Sequence, residues 1–422
     1  MSEPAPASSL RRSLSWTLLG ELSFAACQWI SLMVVAKLGS PEALGRYSLG
    51  LAVATPVIIL ANLHLRPIWV VDVRDRPEHE RASWADYLGL RLLVQPIALL
   101  VVALVCLIRG WPLATVTVVV AIAVIRAAGS VSDILYAPAQ RAERMDPIGI
   151  SRALAGVVWL AGLTIGLALG SELLALGLVA LASFALTLTW DLHHARRHES
   201  MRARFEPAAL RRLIRLALPM GLAAGLLGLT GNVPAYVLEL DHGLAEVGFF
   251  AAVLSILQAS GVVNVALGNA AIPRLAKLAL ADPSGFWRLL IKLLALAGLL
   301  NGLGLALVLA LGEPYLRHAY TPEYAVYLPQ LVLAALAAIV LGLANMLSQT
   351  LTALGQFRAQ LWINLAALLG SLGLSLWLIP GRGIEGAVWA LLGLAILRLV
   401  LYVIANFVFG PRARAPSPKA AR

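Results

Sequence analysis

The strongest constraint in this sequence is a succession of apolar runs almost empty of ionisable groups. Leu92–Ile108, Val116–Ile125, Leu173–Leu188 and Leu289–Leu311 are four of them. A hydrocarbon core roughly 30 Å thick asks a helix for about twenty consecutive apolar residues. A soluble core would need polar helix faces recurring every 3.6 residues, and most of these runs have none. The deficit of charge points the same way. Only 13% of the 422 residues are charged, where a soluble chain has roughly a quarter. Gly and Ala are dispersed through the runs, as close packing of helices in lipid requires. The expected fold class is therefore an all-α polytopic membrane protein. Twelve spans are expected, at 13–36, 43–65, 84–108, 112–138, 147–169, 173–192, 214–238, 244–271, 288–312, 326–354, 357–379 and 383–409.

The first run follows Arg11 and Arg12 and so imitates a secretory signal. It holds Glu21 and Gln28 and continues to Leu38, and it has a counterpart in mid-chain. It is therefore expected to be the first span. Cys27 and Cys106 both lie in apolar segments, with no metal-binding spacing and no disulfide framework. No metal and no cofactor is implied.

The net charge of +11 invites a nucleic-acid reading, but the placement of the basic residues removes it. They gather before span one (Arg11, Arg12), between spans two and three (Arg66, Arg74, Arg76, Arg81), after four (Arg141, Arg144), and between six and seven (Arg196 to Arg212). They recur after span eight (Arg274, Lys277) and in the tail (Arg412, Arg414, Lys419, Arg422). Twelve spans put all of these on one side, which the positive-inside rule makes the cytoplasm, with both termini there. The connection between spans seven and eight carries Glu239, Asp241, His242 and Glu246 and no Lys or Arg.

The halves resemble each other. Leu44-Gly45-Arg46-Tyr47-Ser48 opens span two as Val247-Gly248-Phe249-Phe250 opens span eight. The joint Gln140 to Met145 corresponds to Ala353 to Arg358. Six spans per half give a parallel repeat, a transporter plan with two lobes facing a central cavity. The expected division is an N-terminal lobe over 1–192, a basic cytoplasmic linker over 193–213, a C-terminal lobe over 214–409, and a tail over 410–422.

Several stretches carry a family likeness along nearly the whole chain. They are Asn62-Leu63-His64-Leu65-Arg66 with Asp72 and Tyr87 to Arg91; Ser132-Asp133-Ile134-Leu135-Tyr136 running to Ser151-Arg152; Leu216 to Gly221 and Asn232-Val233-Pro234; Leu267 to Arg274; Gly312-Glu313-Pro314; Leu351 to Gly355; and Gly383 to Ala387. In this the chain resembles Wzx-type flippases of O-antigen and other lipid-linked oligosaccharides, in the multidrug/oligosaccharidyl-lipid/polysaccharide exporter superfamily. The resemblance implies flipping of an undecaprenyl-pyrophosphate-linked glycan by alternating access in the bacterial inner membrane. It also implies Na⁺ or H⁺ coupling, with polysaccharide polymerase and chain-length machinery as partners. A monomer is expected. The lipid II flippases of the superfamily have two further helices and arginines within span one. This chain has neither, so no substrate residue is carried over to its first helix.

Ionisable groups in spans are costly and face a cavity or a partner. Arg126 lies mid-way along span four, and Asp133 follows seven residues later, about 10 Å along the helix. Arg66 and Arg91 lie toward the cytoplasmic side. With Arg126 they form a candidate cationic path for a pyrophosphate, whose oxygens suit paired guanidinium donors. Snorkelling to the headgroups is the alternative for Arg66 and Arg91. Arg398 in span twelve, Asn232 in seven, and Gln258, Asn264 and Asn269 in eight complete the candidate substrate contacts. Helix packing uses such groups too. Glu21 and Asp133 are the candidate coupling carboxylates. An ion pair with an arginine of a neighbouring helix is the alternative for Glu21. Pro219 and Pro234 mark span seven as a bending element. Two rivals remain open: a drug/cation antiporter of the same superfamily, which calls for an acidic cavity, and a membrane enzyme or non-transporting component of polysaccharide assembly. No D-x-D motif or large extramembrane loop favours an enzyme.

Overall fold

The computed structural model describes residues 10–75 and 83–411, apart from the side chains at 10–14, 71–75, 262, 263, 266, 269 and 270. Every regular element among them is helical. The order is α1 (Leu10–Leu38), α2 (Pro41–Asn62), α3 (Leu65–Asp75), α4 (Trp84–Arg109), α5 (Leu113–Arg141), α6 (Asp146–Ala168), α7 (Glu172–Ala182), a π-helical segment (Ser183–Leu188), α8 (Thr189–Ala195), α9 (Pro207–His242), α10 (Leu244–Ala281), α11 (Pro283–Ala319), a 3₁₀ turn (Pro322–Tyr327), α12 (Leu328–Ala353) and α13 (Phe357–Phe409).

Eleven helical stretches among the described residues are long and apolar enough to cross a membrane. The last of them, α13, has 53 residues. A continuous helix of that length would measure about 80 Å, far beyond one bilayer. It is not continuous: Gly383 takes φ 54 and ψ −130, three residues after Pro380. The two arms fold back on each other. Gly370 faces Leu397, Gly393 faces Leu374, and the Tyr402 hydroxyl donates to Asn364 Oδ1 at 3.2 Å. The eleventh stretch is therefore the expected spans eleven and twelve, and the expected twelve spans all have their helices. The first seven residues of α9 and the last ten of α10 lie outside the expected limits. Polar turns that the apolar count rejects still form helix.

The chain divides into two compact units. The first runs through Glu239 and takes in Gly243–Ala251; the second holds Leu240–His242 and continues from Ala252. Contact units and sequence repeats are different divisions, and here they part at different places. α9, which begins the second half of the repeat, packs on the first unit: Gly221 and Gly225 lie against Leu60 and Leu63 of the α2 end. Arg109 Nη2 pairs with Glu239 Oε2 at 2.7 Å, and Trp111 Nε1 donates to Glu239 Oε1 at 2.8 Å. Of the basic linker, 196–206 lies outside any helix. Arg204 N–H bonds the Ala85 carbonyl at 2.9 Å, and Gly89 leaves room for that strand of backbone.

Within the first unit α1 lies along α6, where Gly20 and Gly149 bring the two backbones together. α2 packs on α5, and α6 on α7. Arg46 on α2 pairs with Glu172 at the start of α7. The repeated turns also meet here. A Cβ on Gly45 would lie 1.9 Å from the Leu244 carbonyl oxygen, and one on Gly248 would lie 2.0 Å from that of Pro41. The contact is reciprocal between repeat-equivalent positions, as a local two-fold relation demands. In the second unit α11 packs on α12, and α12 on α13. Its polar interior is neutral for the most part. Asn301 accepts from Ser260 and exchanges bonds with Asn264, and Thr350 donates to Asn406.

Two tests follow from these contacts. Gly45→Val and Gly248→Val should each destabilise the protein by about 1–3 kcal/mol, read as a lower thermal midpoint in detergent, whereas Gly177→Ala, with nothing within 4 Å of its Cβ, should leave it unchanged. Cysteines at Gln356 and Arg382, in a chain lacking Cys27 and Cys106, should react with an impermeant maleimide from opposite faces of the membrane. Labelling from the same face would remove the break at Gly383 as a membrane turn.

Candidate functional site

The polar centre of the first unit forms where one helix stops. α2 ends at Asn62, and both Leu63 and His64 then take φ 50, a left-handed conformation that side chains with a Cβ seldom adopt. Such strain persists only when the surroundings fix it. Leu63 and Leu65 are buried with Trp69, Trp84, Tyr87 and Leu210, which supplies that grip. Asn62 and Arg66 stand on either side of the break.

Arg91, from α4, is wholly buried, at 0% exposure. Its Nη1 donates to Asn62 Oδ1 and, at 2.8 Å, to Ser130 Oγ. Its Nη2 lies 3.5 Å from Asp133 Oδ2. The other carboxylate oxygen of Asp133 lies 3.2 Å from Arg66 Nη1. Ser130 donates to Asn62 while accepting from Arg91 and from Gln95 Nε2 at 2.8 Å. Its hydroxyl is thus used as donor and as double acceptor.

Beside this network lies a cavity of about 350 Å³, entirely within the first unit. Arg126, Ser130 and Asp133 reach it from α5, where their spacing of four and three places them on one face. Arg152 and Trp159 come from α6, and Asn62 and Thr55 from α2. Ser183 and Thr187 come from the π-helical segment, a distortion that recurs at functional sites.

Arg126 is held without a carboxylate. Its guanidinium lies 5.0 Å from the centre of the Trp159 ring, and its Nη2 donates to Gln28 Oε1 at 3.3 Å. Trp159 is itself fixed by donating Nε1 to the Tyr47 hydroxyl at 2.8 Å. Arg126 Nε has no partner among the described residues. Arg152 grips Glu21 with two bonds, 2.9 and 2.8 Å long, and lies 4.0 Å from the Phe24 ring centre. Four guanidinium groups, of Arg66, Arg91, Arg126 and Arg152, thus face two carboxylates, of Asp133 and Glu21. Of these, Arg126, Arg152 and Asp133 line the cavity, and the six side chains together carry an excess of two positive charges.

The expected site residues therefore part into two sets. Arg66, Arg91, Arg126 and Asp133 come together in the first unit. Arg91 stands behind the cavity wall as a buried strut, and its burial rules out snorkelling. Glu21 is ion-paired with Arg152, the alternative that the sequence left open. The remainder do not join them. Asn232 turns its amide to its own helix, donating to the Gly228 carbonyl at 2.7 Å. Gln258 is exposed. Asn264 is buried against Asn301. Arg398 is 8% exposed, donates to Asn345 Oδ1 at 3.3 Å and lies over Tyr402. The side chain of Asn269 lies outside the described residues. Sequence reasoning passed over Asn62 and Ser130 as site residues, although each stands four residues from a flagged arginine on one helix or across its break. No group of three or more His, Cys, Asp or Glu side chains fit to hold a metal occurs among the described residues.

The comparisons agree with this architecture. The family described as "Polysaccharide biosynthesis protein" matches residues 10–279. The capsular polysaccharide biosynthesis protein CapF of Staphylococcus aureus is 23% identical over 383 residues, which are 89% of this chain and 94% of that protein. Among solved structures, the lipid II flippase MurJ in an inward closed conformation superposes with a TM-score of 0.75 at 12% identity, over 93% of this chain and 87% of that one. The eukaryotic MATE transporter AtDTX14 gives a TM-score of 0.66 at 16% identity, over 94% and 95%.

Asp133→Ala should cost about 3 kcal/mol of stability, because it strands the buried Arg91 charge. Adding Arg91→Leu to that variant should restore part of the lost thermal stability. Equal losses in the single and the double variant would mean that Asp133 does not compensate Arg91.

Proposed function

This chain belongs to the polysaccharide biosynthesis protein family, and from that membership and the charge of its cavity we propose that it flips an undecaprenyl-pyrophosphate-linked oligosaccharide from the cytoplasmic to the outer leaflet of a bacterial inner membrane. It is a multi-pass membrane protein with the fold of the multidrug/oligosaccharidyl-lipid/polysaccharide exporters. The observation that carries the reading is Arg126: a guanidinium mid-way along an apolar span, open to a cavity, with no carboxylate to neutralise it among the described residues.

A charge in that position is expensive unless something meets it. A diphosphate offers several oxygens to paired guanidinium donors, and its charge answers the surplus of arginine over carboxylate around the cavity. The polar groups of Asn62, Ser130, Ser132, Ser183 and Thr187 are suited to sugar hydroxyls. A cavity of about 350 Å³ is at the small end of ligand sites. It receives the diphosphate and an adjoining sugar, while the prenyl tail stays in lipid and the rest of the glycan lies beyond. A cation antiporter would require the opposite sign of charge here.

Alternating access presents this cavity to the two leaflets in turn. α9, with Pro219 and Pro234 inside it, is the element we assign to bend. With both termini in the cytoplasm, an anionic headgroup moves outward down the membrane field, gaining about 2.3 kcal/mol per charge for each 100 mV. Polymerase and chain-length machinery would take the product on the outer face.

In proteoliposomes loaded with lipid-linked oligosaccharide, Arg126→Ala should cut the flipping rate at least tenfold, by the loss of one charge-assisted contact of about 1.5–3 kcal/mol. Arg126→Lys should keep part of it. A well-folded Arg126→Ala protein that flips at the wild-type rate would overturn the proposal.

A further inference from the structure

One stripe of α1 meets two arginines of the cavity wall, and it answers them differently. Glu21, Phe24 and Gln28 are spaced by three and four residues, which puts them on one face of the helix. Phe24 lines the cavity. At one end of the stripe Glu21 takes Arg152 of α6 with both carboxylate oxygens, at 2.9 and 2.8 Å. At the other end Gln28 Oε1 accepts from Nη2 of Arg126, on α5, at 3.3 Å. Both arginines line the cavity. Gln28 is not among the lining residues and reaches the cavity only through Arg126.

Glutamine and glutamate have nearly the same shape. They differ in that the amide carries donors and no charge, while the carboxylate carries charge and no donors. At position 28 the donors are unused: Gln28 Nε2 is buried without a hydrogen-bond partner among the described residues. The only atom that the site employs is the oxygen, which a glutamate would supply as well. A glutamate would also bring a charge to a guanidinium that has none beside it, since the Trp159 ring and the Gln28 amide are the groups that hold Arg126. A buried arginine gains from a carboxylate partner, so local stability favours glutamate here. The chain has the amide instead. With glutamate, the four arginines would face three carboxylates, and the surplus of two positive charges would become one.

We propose that Gln28 sets the charge specificity of the cavity: by answering Arg126 with a neutral amide, it orients the guanidinium and leaves its charge for an anionic lipid headgroup. Gln28 is a positioning residue that acts through Arg126. The anion it favours is that of the flippase reading, on which this assignment rests. A carboxylate at the same place would compete with a diphosphate for the same Nη2. The single difference between an amide at position 28 and a carboxylate at position 21 thus separates the arginine that is available from the one that is taken.

The test uses the full chain in lipid nanodiscs, with farnesyl pyrophosphate as the charged probe and farnesol as the uncharged one. Gln28→Glu adds the carboxylate, and Gln28→Met removes the amide without adding charge. Gln28→Glu should have the higher thermal midpoint of the two variants, because its carboxylate pairs with Arg126. Its preference for farnesyl pyrophosphate over farnesol should fall about tenfold below that of the wild type, while Gln28→Met should stay within about twofold of it. A wild-type preference retained in Gln28→Glu, or equal losses in the two variants, would overturn the charge role. A Gln28→Glu protein less stable than Gln28→Met would overturn the pairing with Arg126. A wild type that binds both probes alike would overturn the anion reading of the cavity and the specificity role together, and a higher midpoint in Gln28→Glu would then show only that Arg126 lacks a carboxylate.

Discussion

A guanidinium group sealed inside the first unit sets the terms for what surrounds it. Arg91 has no exposed surface, and a charge taken out of water is tolerated only when its donors are used and its field is answered. Asp133 answers the field from α5, Asn62 accepts from the end of α2, and Ser130 accepts from one turn before Asp133. Three helices are thereby tied at a single point. The same point accounts for the break in the α2–α3 span. Asn62 is the last residue of α2, and the left-handed turn at Leu63 and His64 starts α3 on a new course that takes Arg66 to the other oxygen of Asp133. An unbroken helix would keep the direction of α2 beyond Asn62. The strain of two left-handed residues is offset by the burial of Leu63 and Leu65 and by the completed network.

That network decides what the cavity is. Asp133 is shared by two arginines, and Glu21 is taken by Arg152. No carboxylate among them is left over for Arg126, which rests on an aromatic face and a side-chain amide instead. Those contacts orient a guanidinium without cancelling its charge. The unit therefore separates its arginines by role: Arg91 holds helices together, while Arg126 keeps its charge available to the cavity. The π-helical segment and the hydroxyl-rich wall add hydrogen-bonding capacity where a regular apolar helix would offer none.

The spans were legible because a bilayer imposes one length and one composition on every helix. The cost of charge in lipid was equally legible, and it singled out Arg91, Arg126 and Asp133 before any partner was known. Partnership was not legible. Nothing in the spacing of Arg66, Arg91 and Asp133 says that one carboxylate serves both arginines, since they come from different helices. Leu63 and His64 carry none of the Gly, Asn or Pro signals that usually announce a left-handed turn, because here tertiary packing imposes the conformation. Ser183–Leu188 reads as ordinary apolar helix, and its π geometry has no sequence mark. Asp191 sits near the end of a span, where a charge usually meets water, and only the fold shows it buried. Asn232 and Asn264 had the right chemistry for sugars. Their amides are spent on helix packing, a use that composition cannot distinguish from binding.

The repeat makes the asymmetry of charge informative. Turns at equivalent positions, Pro41 to Gly45 and Leu244 to Gly248, still meet reciprocally, so the two halves have kept a common backbone plan. Their interiors have not kept a common chemistry. The first unit holds a cluster of arginines and carboxylates around a cavity. The second fills its core with Asn301, Asn264, Thr350 and Asn406, bonded to one another or to backbone, and Arg398 is the buried charge among them. A neutral network rigidifies a bundle without attracting an ion, whereas a charged one does both. The family match, which extends over residues 10–279, spans the whole of the charged unit. Related turns are thus compatible with unlike interiors, and the charge is confined to the unit in which the proposed anionic ligand would bind.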